Sequence, residues 1–211
     1  GTLTVGGQTI TFDGTGTVTT SAISNGSTKI NISKSSGSVT TVGNISVDAI
    51  TVTSSSFIID GETVEVDDNV VISGGTLQIT SGLLSNTHYS DDAITISGGT
   101  LDVDGGEVRI GDNDGSDYGP DIEMSSGTID ISGGSVNIND ELDVNNGTVT
   151  ISGGTLSIGT YSGSNLGGGT STDRFEMDAG TLNLTAGTIN IYGQINSSSY
   201  EALDLASAVT V

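Results

Sequence analysis

A column of carboxylates is the feature of this sequence best suited to chemistry. An acidic residue recurs along the chain, four residues before a regularly spaced apolar one, at Asp48, Asp68, Asp92, Asp140, Asp173 and Glu201. Strand parity directs this position inward, and stacked like charges repel one another, more strongly when they are partly buried. The column therefore needs cations, protonation or backbone N–H partners. Calcium suits it as a hard ion that binds several oxygens in loose geometry, but aspartates that only cap turns explain the column as well.

A second oxygen-rich motif occupies residues 112–117, which read D-N-D-G-S-D. It resembles the D-x-D-G-x-D part of calcium loops, where oxygen ligands alternate and glycine permits the turn. Asp112, Asp114 and Asp117 are therefore candidate calcium ligands. The bidentate glutamate of an EF-hand is missing at the required distance, and a chain this rich in Asp, Asn, Gly and Ser also produces such matches by chance.

All tyrosines of the chain fall outside the regular apolar pattern, at Tyr89, Tyr118, Tyr161, Tyr192 and Tyr200. A phenol ring combines an apolar face with a polar tip, which suits contact with a sugar or another polar ligand. We predict that these tyrosines form a ligand-binding edge. Packing of the loops onto the scaffold is the alternative explanation.

Residues suited to catalysis are few. His88 is the single histidine, and the basic residues Lys29, Lys34, Arg109 and Arg174 are scattered. Pairs of carboxylates suited to glycoside hydrolysis arise by accident among 26 acidic residues. We expect no enzymatic activity, with a polysaccharide lyase-like enzyme as a remote alternative.

Ice binding is a second remote alternative. A threonine row is predicted on the outer surface at Thr76, Thr100, Thr128, Thr148 and Thr181. Ice binding favours an uncharged Thr-x-Thr face, and only Thr148 with Thr150 supplies that pair. Threonine is also common on exposed strands.

An internal repeat positions all these residues. Residues 124–138 read M-S-S-G-T-I-D-I-S-G-G-S-V-N-I and residues 177–191 read M-D-A-G-T-L-N-L-T-A-G-T-I-N-I, and the same frame fits at Ile72, Ile96 and Val144. Three alternating segments per repeat, separated by glycines, indicate three strands joined by sharp turns. Identical columns favour parallel in-register stacking over hairpins. The sequence predicts an all-β fold, a right-handed single-stranded parallel β-helix (β-solenoid) with three short strands per coil of roughly 20 residues.

Each predicted strand contributes two inward apolar columns. The first column of the second strand consists of Leu77, Leu101, Ile129, Val149 and Leu182. Two residues later follow Ile79, Val103, Ile131, Ile151 and Leu184. We expect each column to stack like residue on like residue.

We assign a single domain to residues 1–211, with less regular coils or a cap at 1–47 and regular coils at 48–211. The extra length of longer repeats falls after the third strand, so insertions collect at one corner, where binding loops are often found. The pattern stops mid-repeat at the last residues, so we expect a longer protein or head-to-tail self-association.

Charge limits the partners. The chain has a formal net charge of −22, which argues against nucleic acid and anionic membrane surfaces. No apolar run is long enough for membrane insertion, and the lack of cysteine is compatible with an extracellular bacterial protein. We expect an extracellular or cell-surface location.

The recurring I-S-G-G-T-L units, with Y-S-D-D-A-I at 89–94 and Y-E-A-L-D-L at 200–205, resemble a family of secreted bacterial carbohydrate-binding β-helix proteins. They are also similar to the β-solenoid stalks of bacterial surface adhesins. The first family is calcium-containing and non-catalytic, and the resemblance implies calcium at the acidic pair that opens a coil, here Asp91, Asp92 and Glu201. Pro120 and Arg174 depart from that pattern.

The resulting prediction is a non-catalytic extracellular segment of a bacterial cell-surface or adhesion protein, stabilised by Ca²⁺, whose loop edge contacts a polysaccharide or another surface protein. The alternative is a carbohydrate-binding module for plant or acidic polysaccharide. The predicted calcium ligands are Asp68, Asp91, Asp92, Asp112, Asp114, Asp117, Asp121, Asp140, Asp173 and Glu201.

Overall fold

The computed structural model describes residues 7–86, 93–110, 122–159, 175–192 and 203–211. Within these ranges the chain forms strands and turns but no helix, which confirms the all-β class. The strands are β1 (Thr9–Phe12), β2 (Val18–Thr20), β3 (Ile23–Thr41), β4 (Ile45–Ile59), β5 (Thr63–Val66), β6 (Val70–Ile72), β7 (Thr76–Ile79), β8 (Leu83–Asn86), β9 (Ile94–Val103), β10 (Glu107–Ile110), β11 (Ile122–Ile131), β12 (Ser135–Ile138), β13 (Leu142–Val144), β14 (Thr148–Ile151), β15 (Thr155–Ile158), β16 (Phe175–Leu184), β17 (Thr188–Ile191) and β18 (Leu203–Thr210).

The described strands pair in parallel and form three ladders, in which each segment bonds to its equivalent in the next repeat. Ladder 1 consists of segments of β1, β3, β4, β6, β9, β11, β13, β16 and β18. Ladder 2 consists of segments of β2, β3, β4, β7, β9, β11, β14, β16 and the end of β18. Ladder 3 consists of segments of β3, β4, β5, β8, β10, β12, β15 and β17. The chain passes through ladders 1, 2 and 3 in that order, and one such passage is one repeat.

The register of the ladders matches the predicted columns. Leu101 pairs with Leu77 in one neighbouring repeat and with Ile129 in the other, and Ile129 in turn pairs with Val149. Several strands are longer than the predicted short segments, because ladder bonding continues through a corner. Strand β11, for example, serves ladders 1 and 2 and pairs with β9 through Ser126 and Ser97 between them.

One apolar core lies among the three ladders, and all three contribute to it. Buried and half-buried residues alternate along the short strands, as in β7 and β12, because successive strand side chains point to opposite faces. The aromatic rings of Phe57 and Phe175 are fully buried. Burial of a large apolar side chain of this kind contributes roughly 1.5–3 kcal/mol, so the columns are the main source of stability.

Asn86 is the exception in an inward column of ladder 3, where the following repeats have Ile110 and Ile138. The Asn86 side chain is fully buried, and its Nδ2 donates a hydrogen bond of 2.7 Å to the backbone oxygen of Asp68. A buried amide costs little when it is bonded in this way. The residue therefore ties the end of β8 to the corner between ladders 3 and 1.

The N-terminal repeats are in parallel register from Thr9 onward. Their pairing is less regular than that of later repeats, since the register between β3 and β4 shifts at several points. The boundary predicted after residue 47 falls inside β4. A separate cap at 1–47 stays a prediction.

Polar side chains also occupy the interior of these first repeats. Lys34 is 1% exposed, and its Nζ donates a hydrogen bond of 3.3 Å to the backbone oxygen of Asp13. Thr20 and Thr41, which pair with each other in ladder 2, are buried in the column that continues as apolar residues. The sequence showed Lys34 only as one of four scattered basic residues, and its burial was not predicted.

Glycine makes the sharp turn between ladders 1 and 2 possible. Gly127 has a φ of 114°, and a Cβ there would lie 2.4 Å from the backbone oxygen of Gly99 in the preceding repeat. Ser55 is the non-glycine residue with positive φ, 63°, among the described residues, and its hydroxyl donates to the backbone oxygen of Gly37. The positive φ and the close packing of Gly127 confirm the predicted glycine turn between ladders 1 and 2.

Candidate functional site

The corner between ladders 3 and 1 is where the predicted ligand-binding edge should lie. Tyr192 follows β17 at this corner, is 42% exposed, and donates its backbone N–H to Ile158 at 2.9 Å. Its ring is thus held at the end of a ladder and presented to solvent. The other predicted members, Tyr89, Tyr118, Tyr161 and Tyr200, lie outside the described residues, so the edge as a whole stays a prediction.

Two members of the predicted acidic column stack on neighbouring repeats at the same corner. The backbone N–H of Asp68 donates to the backbone oxygen of Asp48 at 2.6 Å, and both residues are half-buried. The Asp48 carboxylate lies 3.3 Å from Lys29 Nζ. This ion pair offsets part of the repulsion in the column, and sequence reasoning missed it. The register of β3 and β4 places Lys29 beside Ala49, the residue after Asp48, and this alignment across repeats brings the two side chains together.

Of the other predicted calcium ligands, only Asp140 lies among the residues that the structure describes. Asp140 is half-buried between β12 and β13. Outside the described residues lie Asp91, Asp92, Asp112, Asp114, Asp117, Asp121, Asp173 and Glu201. In the part of the chain that the structure describes, no group of three or more His, Cys, Asp or Glu side chains is arranged to hold a metal ion. Calcium binding stays a prediction.

The outer surface of ladder 1 carries a carboxylate row that consists of Glu123, Asp143, Glu176 and Asp204. These residues pair in direct register across β11, β13, β16 and β18. Neighbouring members are about 4.8 Å apart along the ladder, a spacing at which like charges repel and cations are attracted. Asn145 Nδ2 donates to Glu123 Oε1 at 3.4 Å.

Glu141 lies close to this row in the chain but is buried. The residue is only 7% exposed, although it precedes the inward Leu142 and so has outward parity. It is also hydrogen-bonded or otherwise paired. Strand parity therefore predicts the direction of the Glu141 side chain but not its solvent exposure.

A second group of carboxylates lies on ladder 2. Asp102 and Asp130 pair in register, and the pKa of Asp102 is raised by partial burial first and then by the negative charges of Asp104 and Asp130. Asp104 accepts hydrogen bonds of 2.8 Å from Gln78 Nε2 and from Ser132 Oγ. These bonds hold the Asp104 carboxylate beside Asp102, which accounts for the contribution of Asp104 to the raised pKa of Asp102.

The described basic residues are engaged. Both oxygens of Glu107 accept from the Arg109 guanidinium, with the shortest contacts at 2.9 Å. Lys29 is paired and Lys34 is buried. Arg174 and His88 lie outside the described residues.

A shallow depression of about 190 Å³ crosses the outer side of ladder 3 at its first strands. It is lined by Ile23, Ser24, Asn44, Ile45, Ser46, Thr63 and Glu65. Asn44 Oδ1 accepts the backbone N–H of Thr63 at 3.0 Å, which shapes its wall. Its volume is below the several hundred Å³ usual for small-molecule pockets.

The threonine row is in register on the outer side of ladder 2. A second outer row lies two residues later on the same strands, and it includes the carboxylates of Asp102 and Asp130. The face is therefore charged, which argues against ice binding.

Comparison with known proteins yields no relative: no protein-family model, curated protein or solved structure matches this chain. Among the described residues, no helix is long and apolar enough to cross a membrane.

Proposed function

We propose that this chain is a non-catalytic extracellular segment of a bacterial cell-surface or adhesion protein, folded as a right-handed single-stranded parallel β-helix and stabilised by Ca²⁺. The observation that carries the proposal is the set of three parallel ladders around one apolar core. In such a stack each repeat contacts its neighbours, so length grows with repeat number and the product is a stiff spacer. Loops at one corner are then displayed at fixed positions along it.

The handedness is supported by a general rule. Crossover connections between parallel strands of one sheet are right-handed in about 98% of cases, because of the twist of the strands. Ladder 1 has nine segments, so its eight steps of about 4.8 Å correspond to a stack on the order of 40 Å long. An experimental map of the backbone tests both points, and a left-handed coil or antiparallel neighbours would contradict the proposal.

The calcium component is supported by the predicted acidic column, whose members Asp48 and Asp68 stack on neighbouring repeats. A ligand that binds only the folded state at a hundred times its dissociation constant stabilises it by about 2.7 kcal/mol. We therefore expect calorimetric melting in calcium to occur at a higher temperature than in a chelator. Magnesium is the matched control, since it needs near-ideal octahedral geometry that a loose carboxylate stack does not supply. An equal midpoint in calcium and in chelator would remove calcium from the proposal.

The non-catalytic component is supported by the state of the basic residues. A lyase-like reaction needs a free Lys or Arg base, whereas Arg109 is bonded to Glu107 and Lys34 is buried. We expect no unsaturated product from pectin or polygalacturonate in the presence of calcium. Product formation that Arg174→Ala abolishes would establish the lyase alternative.

A carbohydrate-binding module is the second candidate, favoured by the exposed ring of Tyr192 at the loop corner. A glycan array that includes plant and acidic polysaccharides, run with and without a chelator, separates the two candidates. Binding that Tyr192→Ala weakens and Tyr192→Phe retains would support the module, because both the wild type and the Phe variant keep the stacking face. A failure to bind any polysaccharide leaves another surface protein as the proposed partner.

Self-association head to tail is the remaining proposal on partners. Large apolar side chains are exposed on the later strands, at Leu184 and Leu203. Sedimentation velocity over a range of protein concentrations tests it. A sedimentation coefficient that is independent of concentration would contradict it.

A further inference from the structure

Several asparagines of this chain stand two residues before a serine or threonine, the arrangement that marks an acceptor for an asparagine-linked glycan. Those whose side chains the structure describes are Asn31, Asn44, Asn146 and Asn183. The motif alone does not discriminate among them. The environment of each carboxamide does, because an acceptor amide must be accessible and free to react.

Three of the motifs have a carboxamide that is buried or engaged. The Asn31 Oδ1 is buried without a hydrogen-bond partner, within β3. The Asn44 Oδ1 accepts the backbone N–H of Thr63 at 3.0 Å, and the Asn183 Nδ2 donates to Thr150 Oγ1 at 3.3 Å. Each of these amides would have to leave its site or break a bond before it could react.

Asn146 is exposed, as Asn44 and Asn183 are, but its carboxamide is not engaged. It lies in the turn between β13 and β14 and is exposed, and its side chain makes no hydrogen bond to the described residues. The next residue is Gly147, which has no side chain to crowd the amide, and the hydroxyl required by the motif belongs to Thr148 at the start of β14. The backbone N–H of Asn146 donates to the Met124 oxygen at 3.4 Å, which holds the turn against the preceding repeat.

We propose that Asn146 is the acceptor site for an asparagine-linked glycan on the folded protein. In this reaction Asn146 Nδ2 forms a bond to the anomeric carbon of a sugar activated as a nucleotide- or lipid-linked glycosyl phosphate. The anomeric C–O bond breaks, its electron pair leaves with the phosphate, and the amide nitrogen loses one proton. A separate transferase supplies catalysis, and the charge of the protein does not change.

The location is compatible with the proposed display of loops, although the inference does not rest on that function. Asn146 lies at the corner between ladders 1 and 2, whereas Tyr192 follows ladder 3 at the corner that holds the insertions. A glycan on Asn146 would extend from a different corner than the loop edge. It would also lie beside the carboxylate row, because the adjacent Asn145 contacts Glu123.

The test uses the folded full chain, a soluble asparagine glucosyltransferase and UDP-glucose, with peptide mass spectrometry to locate added hexose. The added hexose is measured, and not conversion of Asn146 to aspartate, because an asparagine that precedes glycine also converts to aspartate without an enzyme. We expect hexose on the Asn146 peptide, and none on it in Asn146→Gln or Thr148→Val. Thr148→Ser should retain it, since only the hydroxyl is required. In urea-unfolded protein, the Asn44 and Asn183 peptides should become modified as well.

Two results would overturn the proposal. One is an Asn146 peptide that stays unmodified in the folded protein. The other is hexose on Asn146 that persists in Thr148→Val, since the reaction would then not use the motif. Circular dichroism of each variant, compared with the wild type, shows that the fold is retained.

Discussion

Replacement of Gly127 by alanine should weaken the stack at the corner between ladders 1 and 2. The φ of 114° at Gly127 is one that side-chain-bearing residues rarely adopt. An added Cβ would lie 2.4 Å from the Gly99 backbone oxygen and 3.1 Å from Ile96 Cγ2. The oxygen belongs to the backbone of the preceding repeat, so it cannot move aside without disturbing the ladder that it helps to form.

The expected loss of unfolding free energy in Gly127→Ala has two parts. A left-handed backbone costs a side-chain-bearing residue about 1–2 kcal/mol, and overpacking costs about 1–3 kcal/mol, so Gly127→Ala should lower the unfolding free energy by about 2–5 kcal/mol. Gly61→Ala isolates the first part. Gly61 has a φ of 83°, and the nearest atom to its added Cβ is Ser81 Oγ at 3.9 Å, so this variant should lose only about 1–2 kcal/mol.

Urea unfolding followed by far-UV circular dichroism measures both losses. With a denaturant dependence of about 2 kcal/mol per molar urea, the midpoint for Gly127→Ala should fall by about 1–2.5 M, and that for Gly61→Ala by about 0.5–1 M. Ser125→Ala, in the same turn as Gly127 and exposed, should change stability by no more than about 0.5 kcal/mol. If Gly127→Ala lost no more stability than Gly61→Ala, close backbone stacking at this corner would be refuted.

Three further predictions concern charge and packing. The pKa of Asp102 is raised in the folded state, so the folded state binds this proton more tightly than the unfolded state, and the contribution of Asp102 to stability rises as the pH falls from neutral through the folded-state pKa. Asp102→Asn should therefore raise the thermal midpoint more at neutral pH than at about pH 4. A midpoint at neutral pH below that of the exposed control variant Asp178→Asn would contradict this prediction. Phe57→Ala should lower the free energy of unfolding, measured in urea, by about 3–5 kcal/mol because the ring is fully buried. Replacement of its outward neighbour, Ile58→Ala, should lower it much less, and equal losses would contradict the inward orientation of Phe57. Lys29→Met should lower stability by less than about 1 kcal/mol, because its ion pair is partly exposed, and the loss should shrink as salt is added.

Much of the fold could be predicted from the sequence because the signal is periodic. Ile129 repeats the position of Leu101 before it and Val149 after it, and the ladders pair them in that order. A strand places alternate side chains on opposite faces, so the pattern identifies inward columns without knowledge of any distant contact. Strand lengths were less predictable. Bonding through a corner depends on the neighbouring repeat, and this is why β11 continues where two short strands were expected.

The candidate site was predicted only in part. Strand parity alone puts Glu123 and Asp143 on one outer face, because each directly precedes a buried apolar residue, and their register in ladder 1 follows from the repeat. The contact between Lys29 and Asp48 and the raised pKa of Asp102 required knowledge of which side chains meet across repeats. Neither contact changes the local pattern of hydrophobic and polar residues, so neither leaves a clear sequence signal.

The sequence by itself determined the all-β class, the columns and the glycine turns, because each depends on the type of residue at a fixed local spacing. Tertiary structure decided which polar groups are buried or paired, as for Lys34 beside the Asp13 carbonyl and for Asn86, which is buried between Val66 and Ile110 of the neighbouring repeats. Burial and pairing depend on what the next repeat places above or below a side chain. A local pattern does not contain that information, and the stacked ladders do.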